Sequence, residues 1–366
     1  MKITAIEAIP YTIPYRRPLK FASGEVTEAD HVLIQVHTDA GITGISDTPP
    51  RPFTYGETQG TIISVVTGVF APQLIGLDPF DREKARQVMS RTLNNATAKG
   101  SIDIALWDII GQVLGTSVTR LLGGFTNQLR VSHMLGFKEA GELVEEASKM
   151  RETYGICTFK LKVGRRPASL DMAAARALRE AFGEDVDLYM DANRGWSAAE
   201  TGPVLEEAAE LGMQFLEEPN DAAQYMGRRW LTARSPIPVA ADESAPDLAS
   251  AARELITDGA NLLAIKTART GFTESSRIVG LAEGLGVDVY VGNQIDTQVG
   301  SAASVAFGAA FEATSRRAAE LSNFLDMADD LIAEPLQIVD GAVHVRDVPG
   351  VGHAVDESKL AHYRTD

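Results

Sequence analysis

Several features that would define common protein classes are missing from this chain of 366 residues. It has one cysteine, Cys157, which excludes an internal disulfide; we expect Cys157 to pack in the core at the start of a strand. No apolar run approaches the roughly 18 residues that a membrane span needs, and the N-terminal residues lack the apolar segment of a signal peptide. We therefore expect a cytoplasmic protein with no membrane partner.

Basic surface and metal-binding histidine pairs are missing as well. The net charge of −16 excludes a nucleic-acid partner, although an anionic small molecule remains compatible if local lysines and a metal reverse the sign. The six histidines form no His-x-x-x-His pair, so zinc is not predicted. No Gly-x-Ser-x-Gly elbow, phosphate loop or Rossmann glycine fingerprint occurs.

What the chain does have is a regular series of charged residues, each of which closes an apolar run. The series begins at Lys160-Leu161-Lys162, and successive intervals of 29, 26, 25 and 24 residues separate Lys162, Asp191, Glu217, Asp242 and Lys266. Each interval has the length of one strand plus one helix. Because the C-terminal ends of parallel strands meet on one face, we expect these side chains to converge there.

Alternating strand and helix patterns predict an α/β fold with eight strands closing into a barrel. The helical patterns are residues 139–152, 169–181, 198–211 and 275–285. The predicted strands are residues 131–135, 157–163, 186–191, 213–217, 237–242, 261–266, 287–291 and 319–322.

An α+β module precedes the barrel. Antiparallel strands are predicted at residues 3–10, 31–38 and 42–46, helical periodicity runs from Thr58 to Leu122, and Gly123-Gly124 marks a boundary. We divide the chain into a capping domain, residues 1–128, completed by a C-terminal tail, residues 326–366, and a barrel domain, residues 129–325. The tail shows strand-like pieces and no helical unit.

Two segments between the predicted strands of the first module are rich in arginine and aromatic residues. Residues 15–24 include Lys20, and residues 48–57 include Arg51 and Tyr55. They are interpreted either as loops that cap a site or as ordinary surface loops.

The converging charges suit a divalent cation held by Asp191, Glu217 and Asp242. All of these ligands offer oxygen, so Mg²⁺ is favoured and Mn²⁺ is the alternative. Lys160 and Lys162 point to the same face of their strand, and we expect each to lower the pKa of the other. Lys266 lies four strands away and is expected to face them across the site.

Neighbouring residues have two interpretations each. Glu218 and Glu243 are interpreted as partners of the metal or of Lys266, or as charges at helix N-termini. His133 is interpreted as a core histidine or as a residue of the pocket.

These motifs, together with Asp191-Ala192-Asn193, Glu217-Glu218-Pro219 and Asp242-Glu243-Ser244, resemble the muconate lactonising subgroup of the enolase superfamily. Asp39-Ala40-Gly41 and Ala105-Leu106-Trp107-Asp108 are similar to its capping domain. Longer motifs at residues 51–57, 160–166, 292–298 and 360–366 resemble its actinobacterial, anti-adding branch.

The resemblance implies a modified TIM barrel, (β/α)7β, with an N-terminal capping domain, and an isomerase of aromatic catabolism that converts cis,cis-muconate, a small dicarboxylate, to muconolactone. It implies that Lys162 protonates an enolate, with Lys160 and Lys266 as further catalytic residues. It also implies a homo-oligomer, with an octamer as one candidate size. The residues assigned by it are Asn193, Glu218 and Glu243 behind the metal, and Lys20, Arg51, Tyr55, Asn293, Gln294 and Asp296 at the substrate.

The muconate reaction has alternatives within the superfamily and one outside it. A dipeptide epimerase or N-acyl amino acid racemase of the same superfamily would use Lys162 and Lys266 on opposite faces of one carbon. Such epimerases often carry Asp-x-Asp after the eighth strand, whereas this chain has Asp326-Met327-Ala328-Asp329. A non-catalytic binding protein would have no use for so many charged strand ends.

Overall fold

The computed structural model describes residues 1–21 and 24–366, with side chains for residues 1–18 and 26–366. The chain opens with an antiparallel sheet of strands β1 Ile3–Phe21, β2 Gly24–Thr38 and β3 Thr43–Thr48, in the order β1-β2-β3. Most of residues 15–24, predicted to be a loop, is therefore strand, and Ala22 and Ser23 lie outside the described residues. The pairing shifts register between Pro14 and Leu19, where Pro14 and Pro18 cannot donate ladder hydrogen bonds.

Helices follow this sheet, as the periodicity predicted. Their buried faces pack on β2, where Ile102, Ala105 and Ile109 join one apolar cluster with Val32 and Ile34. Leu122 ends the last of them and Gly123 follows, as predicted. The helices are α1 Gln59–Val65, α2 Ala71–Leu74, α3 Arg82–Met89, α4 Ala96–Leu114 and α5 Val118–Leu122, with a π-helical turn at Val66–Phe70 between α1 and α2.

The second part of the chain alternates strands and helices from residue 128 to residue 320. The strands are β4 Gln128–Leu135, β5 Thr158–Lys162, β6 Asp187–Asp191, β7 Met213–Glu217, β8 Val239–Ala241, β9 Leu262–Ile265, β10 Asp288–Val291 and β11 Ala319–Glu320. The helices are α6 Ala140–Tyr154, α7 Ser169–Phe182, α8 Ala198–Glu210, α9 Tyr225–Thr232, α10 Leu248–Ile256, α11 Thr267–Leu285, α12 Gln298–Gly308 and α13 Glu312–Ser315.

The strand order confirms the barrel. Strands β4 to β10 pair in sequence as parallel neighbours, and β11 pairs in parallel with β4, so that the eighth strand returns to the first. All of these strands therefore end on one side. Strands β8 and β9 are shorter than predicted, so Asp242 and Lys266 lie one residue beyond their strands.

Cys157 precedes β5 and is exposed, so the prediction that it packs in the core is wrong. It lies at the N-terminal end of its strand, where the barrel meets solvent. No helix in the described part of the chain is both long and apolar enough to cross a bilayer.

The C-terminal tail corrects another expectation. It carries strands β12 Ile338–Val339 and β13 Ala342–His344 and also a helix, α14 Glu357–Tyr363, which was not predicted. Asp356 caps this helix by accepting from Ser358 N and Lys359 N, but seven residues are too few to reveal helical periodicity. β13 pairs with β4 of the barrel, whereas Thr365 N donates to Pro10 O of β1 at 3.0 Å. The division at residues 128 and 325 stays a prediction.

The first module meets the barrel through α4 and the start of α11. Asp103 accepts hydrogen bonds from Thr273 N at 2.8 Å and Thr273 Oγ1 at 2.6 Å. A Cβ at Gly100 would lie 2.8 Å from Ala268 O and 2.9 Å from the carbonyl carbon of Arg269. Only glycine therefore allows this approach.

We predict that Gly100→Ala lowers the free energy of unfolding by about 1–3 kcal/mol, because the methyl group forces the two backbones apart. Gly280→Ala is the matched control: it lies in α11, where an added Cβ meets nothing within 4 Å. That change should be neutral or stabilise by about 0.5–1 kcal/mol. Denaturant unfolding measures both, and equal effects would contradict the close contact.

Candidate active site

The strand ends bring the predicted charged residues to one face of the barrel. Lys160 and Lys162 alternate with Phe159 and Leu161 along β5, and the latter two belong to the apolar cluster outside the barrel. The lysines therefore point inward, as predicted from their spacing. Lys266 follows β9, four strands away in the ring, and so lies across the barrel from β5.

Lys160 lies at the centre of the carboxylates. Its Nζ lies 2.8 Å from Asp191 Oδ2, 2.8 Å from Glu217 Oε2 and 2.7 Å from Glu320 Oε1, and the residue is 3% exposed. Burial disfavours the charged ammonium, but the three carboxylates outweigh it and raise the pKa of Lys160 well above its usual value. The prediction that the pKa of Lys160 is lowered is therefore wrong.

Lys162 donates hydrogen bonds to Asp191 and to Asn193 at the end of β6. Its Nζ donates to Asp191 Oδ2 at 2.6 Å and to Asn193 Oδ1 at 2.6 Å. Asn193 in turn donates from Nδ2 to Glu243 Oε1 at 3.0 Å and from its backbone N to Asp191 Oδ1 at 2.9 Å. Asn193 thus orients both the lysine and the carboxylate.

Asp242 faces two cations on the opposite wall. Lys266 Nζ lies 2.6 Å from its Oδ2, and Arg269 Nη1 lies 2.8 Å from its Oδ1. Burial would raise the pKa of Asp242, but Lys266 and Arg269 outweigh burial and hold this pKa below its usual value. For Lys266, burial alone would lower the pKa. The attraction of Asp242 outweighs burial, so the pKa of Lys266 is raised above its usual value. A Cβ at Gly292 would lie 2.9 Å from Lys266 Cε, so this glycine leaves room for the lysine.

The three carboxylates predicted to bind the metal are all at most 1% exposed. Glu217 Oε1 finds no hydrogen-bond partner among the described residues, and burial together with Asp191 raises the pKa of Glu217 well above its usual value. A divalent cation would relieve both, and an all-oxygen donor set suits Mg²⁺ or Mn²⁺. Among the described residues, no three histidine, cysteine, aspartate or glutamate side chains are arranged as a metal site. Instead, lysine ammonium groups contact Asp191, Glu217 and Asp242. The residues fit the ion, and the ligand assignment stays a prediction.

Glu218 and Glu243 precede α9 and α10 by several residues, so neither is a charge at a helix N-terminus. Glu218 Oε2 accepts from Asp242 N at 2.7 Å, and its Oε1 accepts from the fully buried Arg228 at 2.6 Å. Glu218 therefore ties the β7 end to the β8 end. Burial first, and then Asp242 and Glu218, raise the pKa of Glu243 to about 8.

A cavity of about 540 Å³ lies between these strand ends and the first module. It brings together most of the predicted site residues, and its lining includes Arg51, Tyr55, Lys160, Lys162, Asn193, Asp242, Glu243, Lys266, Asn293 and Gln294. Residues 50–55 form one wall of the cavity, which supports the interpretation of that segment as a loop that caps a site.

Two predicted substrate residues are not placed at this cavity. Asp296 is 1% exposed and does not line it; burial, and next Asp47, raise the pKa of Asp296 to about 6. Its side chain lies behind the wall, beside Gly300. The side chain of Lys20 lies outside the described residues.

Sequence reasoning missed two residues of the site. Arg269 follows Lys266 by three positions at the start of α11, a spacing that could have suggested a shared face. Glu320 ends β11, in the same relation to its strand as Asp191 and Glu217, but β11 is too short for a clear pattern. His133 is buried and contacts Ser322 Oγ at 2.9 Å without lining the cavity, which confirms its interpretation as a core histidine.

Comparisons with known proteins agree with this fold. The mandelate racemase/muconate lactonizing enzyme N-terminal domain matches residues 4–123, and the enolase C-terminal domain-like family matches residues 142–359. The chain therefore belongs to the enolase superfamily, in its mandelate racemase/muconate lactonizing enzyme group.

Within this group the chain is similar to lactonizing enzymes. It is 57% identical to the solved muconate lactonizing enzyme of Mycobacterium smegmatis, complexed with muconolactone, with 100% of both chains covered and a TM-score of 0.98. It is 30% identical to a chloromuconate cycloisomerase of Cupriavidus necator, over 99% of both chains. The L-Ala-D/L-Glu epimerase of Bacillus subtilis is 27% identical, with a TM-score of 0.92 over 96% of this chain and 99% of the other.

We predict that Glu217→Gln weakens Mg²⁺ binding by roughly tenfold or more, because even groups behind a metal ligand contribute about 10–100-fold. Isothermal titration with Mg²⁺ measures the change. Glu146→Gln is the control, since Glu146 is a largely buried carboxylate that ion-pairs with Arg17 away from the cavity. Unchanged affinity in Glu217→Gln would remove this residue from the ligand set.

Proposed function

We propose that the protein is an isomerase that converts cis,cis-muconate to muconolactone, with Mg²⁺ or Mn²⁺ held by Asp191, Glu217 and Asp242. The observation that carries the proposal is the full-length similarity to a muconate lactonizing enzyme, in a chain whose cavity places Lys162 opposite Lys266. A divalent cation held by these three carboxylates would supply positive charge to a reacting carboxylate of the substrate.

The reaction needs one new bond and one proton. A carboxylate oxygen of the substrate bonds to a carbon of the diene, and the displaced π electrons move to the neighbouring carboxylate as an enolate. Lys162 lines the cavity and delivers its proton to the α-carbon of this enolate. The dianion becomes a monoanionic lactone, so Lys162 regains one proton from solvent in each cycle.

The remaining cations hold charge in place. A divalent cation at the three carboxylates would offset the negative charge that develops on the enolate oxygens. Lys160 stays charged between Asp191 and Glu217 and orients both. Lys266, bound to Asp242, presents a fixed positive charge on the wall opposite Lys162.

The substrate's distal carboxylate needs a partner on the cap side of the cavity. Arg51 lines that wall; its Nη1 donates to Pro50 O at 3.0 Å, and its Nη2 is buried without a hydrogen-bond partner among the described residues. An orphaned guanidinium nitrogen is well suited to a carboxylate. We infer that Arg51 binds this end of the dicarboxylate.

The alternative is epimerisation of a dipeptide or racemisation of an N-acyl amino acid, in which Lys162 and Lys266 would both exchange a proton. An amine substrate needs an acidic partner, such as the Asp-x-Asp that epimerases often carry after the eighth strand; this chain has Asp326 and Asp329 there, at a different spacing. Neither lines the cavity, and Asp329 pairs with Lys359 at 2.6 Å and Tyr363 at 3.1 Å. This placement favours lactonisation.

Three further assignments belong to the same proposal. We infer a cytoplasmic enzyme, because a single cysteine fits a reducing compartment. The proposed muconate reaction implies a role in aromatic catabolism. We infer a homo-oligomer, with an octamer as one candidate size. Light scattering of the purified protein measures the oligomer directly.

We predict that in D₂O with Mg²⁺ the enzyme places one deuteron on muconolactone and none on recovered muconate. Lys162→Ala should lower kcat by about 10²–10⁴-fold while Mg²⁺ binding persists. Lys99→Ala, a partly exposed lysine of α4 outside the cavity, is the control. NMR of muconolactone and of the recovered muconate measures the deuterium in each. Deuterium exchange into a dipeptide or acyl amino acid, with no muconolactone formed, would establish the alternative.

We also predict that Arg51→Ala raises KM for muconate by about 10–100-fold, since a hydrogen bond to a charged group contributes about 1.5–3 kcal/mol. Mg²⁺ affinity should stay unchanged. Arg16→Ala is the control, because Arg16 lies on β1, donates to Met327 O at 2.9 Å and does not line the cavity. A wild-type KM in Arg51→Ala would return this segment to a purely structural role.

A further inference from the structure

The loop between β10 and α12 contains an unusual backbone conformation. Ile295 has φ of 62°, in the left-handed region, where a β-branched side chain is strained by about 1–3 kcal/mol. Among the described residues with positive φ, the others apart from glycine are asparagine, aspartate, glutamate or arginine. Ile295 is therefore the β-branched exception.

Hydrogen bonds on both sides of Ile295 fix this conformation. Asn293 N donates to Glu320 Oε2 at 3.0 Å, and Asp296 N donates to Asn293 Oδ1 at 2.9 Å. Thr297 Oγ1 donates to Asp47 Oδ2 at 2.9 Å, and Gln298 N donates to Asp330 Oδ2 at 2.8 Å. Buried partners thus dictate the backbone, which glycine or asparagine would adopt at lower cost.

The position of the side chain explains why isoleucine is there. Ile295 is half-buried: it packs against the apolar cluster outside the barrel on one side and lines the catalytic cavity on the other. Its neighbour Gln294 is 4% exposed and lines the same cavity, and both of its amide atoms lack hydrogen-bond partners among the described residues. Asn293 Nδ2 is orphaned in the same way. Buried amides without partners indicate groups that pair with a ligand.

We propose that Ile295 is a specificity-determining residue of this site, an inference that rests on the proposed function. Its side chain packs against the hydrocarbon of the dicarboxylate, while Gln294 beside it donates from Nε2 to a substrate oxygen. The strain at Ile295 is the cost of placing an apolar surface at a point where the backbone favours glycine.

The test compares Ile295→Ala with Ile295→Gly. Both remove the apolar contact, so both should lower kcat/KM for muconate by roughly tenfold or more, with Mg²⁺ affinity unchanged. Only glycine removes the strain, so Ile295→Gly should unfold at a higher denaturant concentration than Ile295→Ala, the reverse of the usual order. A residue that only fills space would change stability and leave kcat/KM unaltered.

Asp258 provides the matched control, because its φ is 56° and it lies exposed outside the cavity. Asp258→Gly should likewise be more stable than Asp258→Ala, and both should keep wild-type kcat/KM. Unchanged kcat/KM in both Ile295 variants, with an active wild-type enzyme, would overturn the inference alone. A wild-type enzyme that forms no muconolactone would overturn the proposed function and this inference together.

Discussion

The contact on which the site depends is the ammonium group of Lys160 among Asp191, Glu217 and Glu320. Buried carboxylates this close repel one another and are expensive to desolvate, so they persist only with cations between them. Lys160 supplies that cation from inside the barrel. Its position in turn requires β5 to present alternate residues inward and β11 to return beside β4. The barrel must therefore close for the charges of Lys160 and its carboxylate partners to balance.

The first module adds a second condition, which is a wall that covers the charged strand ends. Residues 50–55 cover the strand ends, and Tyr55 accepts a hydrogen bond at 2.7 Å from Arg269, which also holds Asp242. Asp242 and Arg269 are buried beneath it, and burial strengthens the electrostatic contact between them. The close contact at Gly100 and the bonds between Asp103 and Thr273 keep the two parts together. The cap therefore belongs to the chemistry as much as the barrel does.

The sequence predicted what repeats and missed what occurs once. Charges that close apolar runs located Lys160, Lys162, Asp191, Glu217, Asp242 and Lys266 correctly on one face, because the geometry of parallel strands is local and periodic. Glu320 was missed because β11 spans two residues. The pKa of Lys160 was expected to fall, but despite burial the direct contacts with Asp191 and Glu217, and after them with Glu320, raise it. Asp296 looked like its neighbours in the sequence, but the strained turn at Ile295 sends it behind the wall. Such effects arise from tertiary contacts between distant segments.

The same reasoning explains why the catalytic groups alone do not select a reaction. A pair of opposed lysines and three carboxylates can stabilise an enolate whether it forms by ring closure or by loss of an α-proton. Selection must come from residues that hold the rest of the substrate. In the proposed function these are Arg51 on one wall and Ile295 and Gln294 on another, while Asp326 and Asp329 after the eighth strand do not line the cavity. In the proposed function, Arg51, Lys162 and Lys266 suit the two carboxylates of the substrate, and Asp326 and Asp329 do not line the cavity where they could hold an amine.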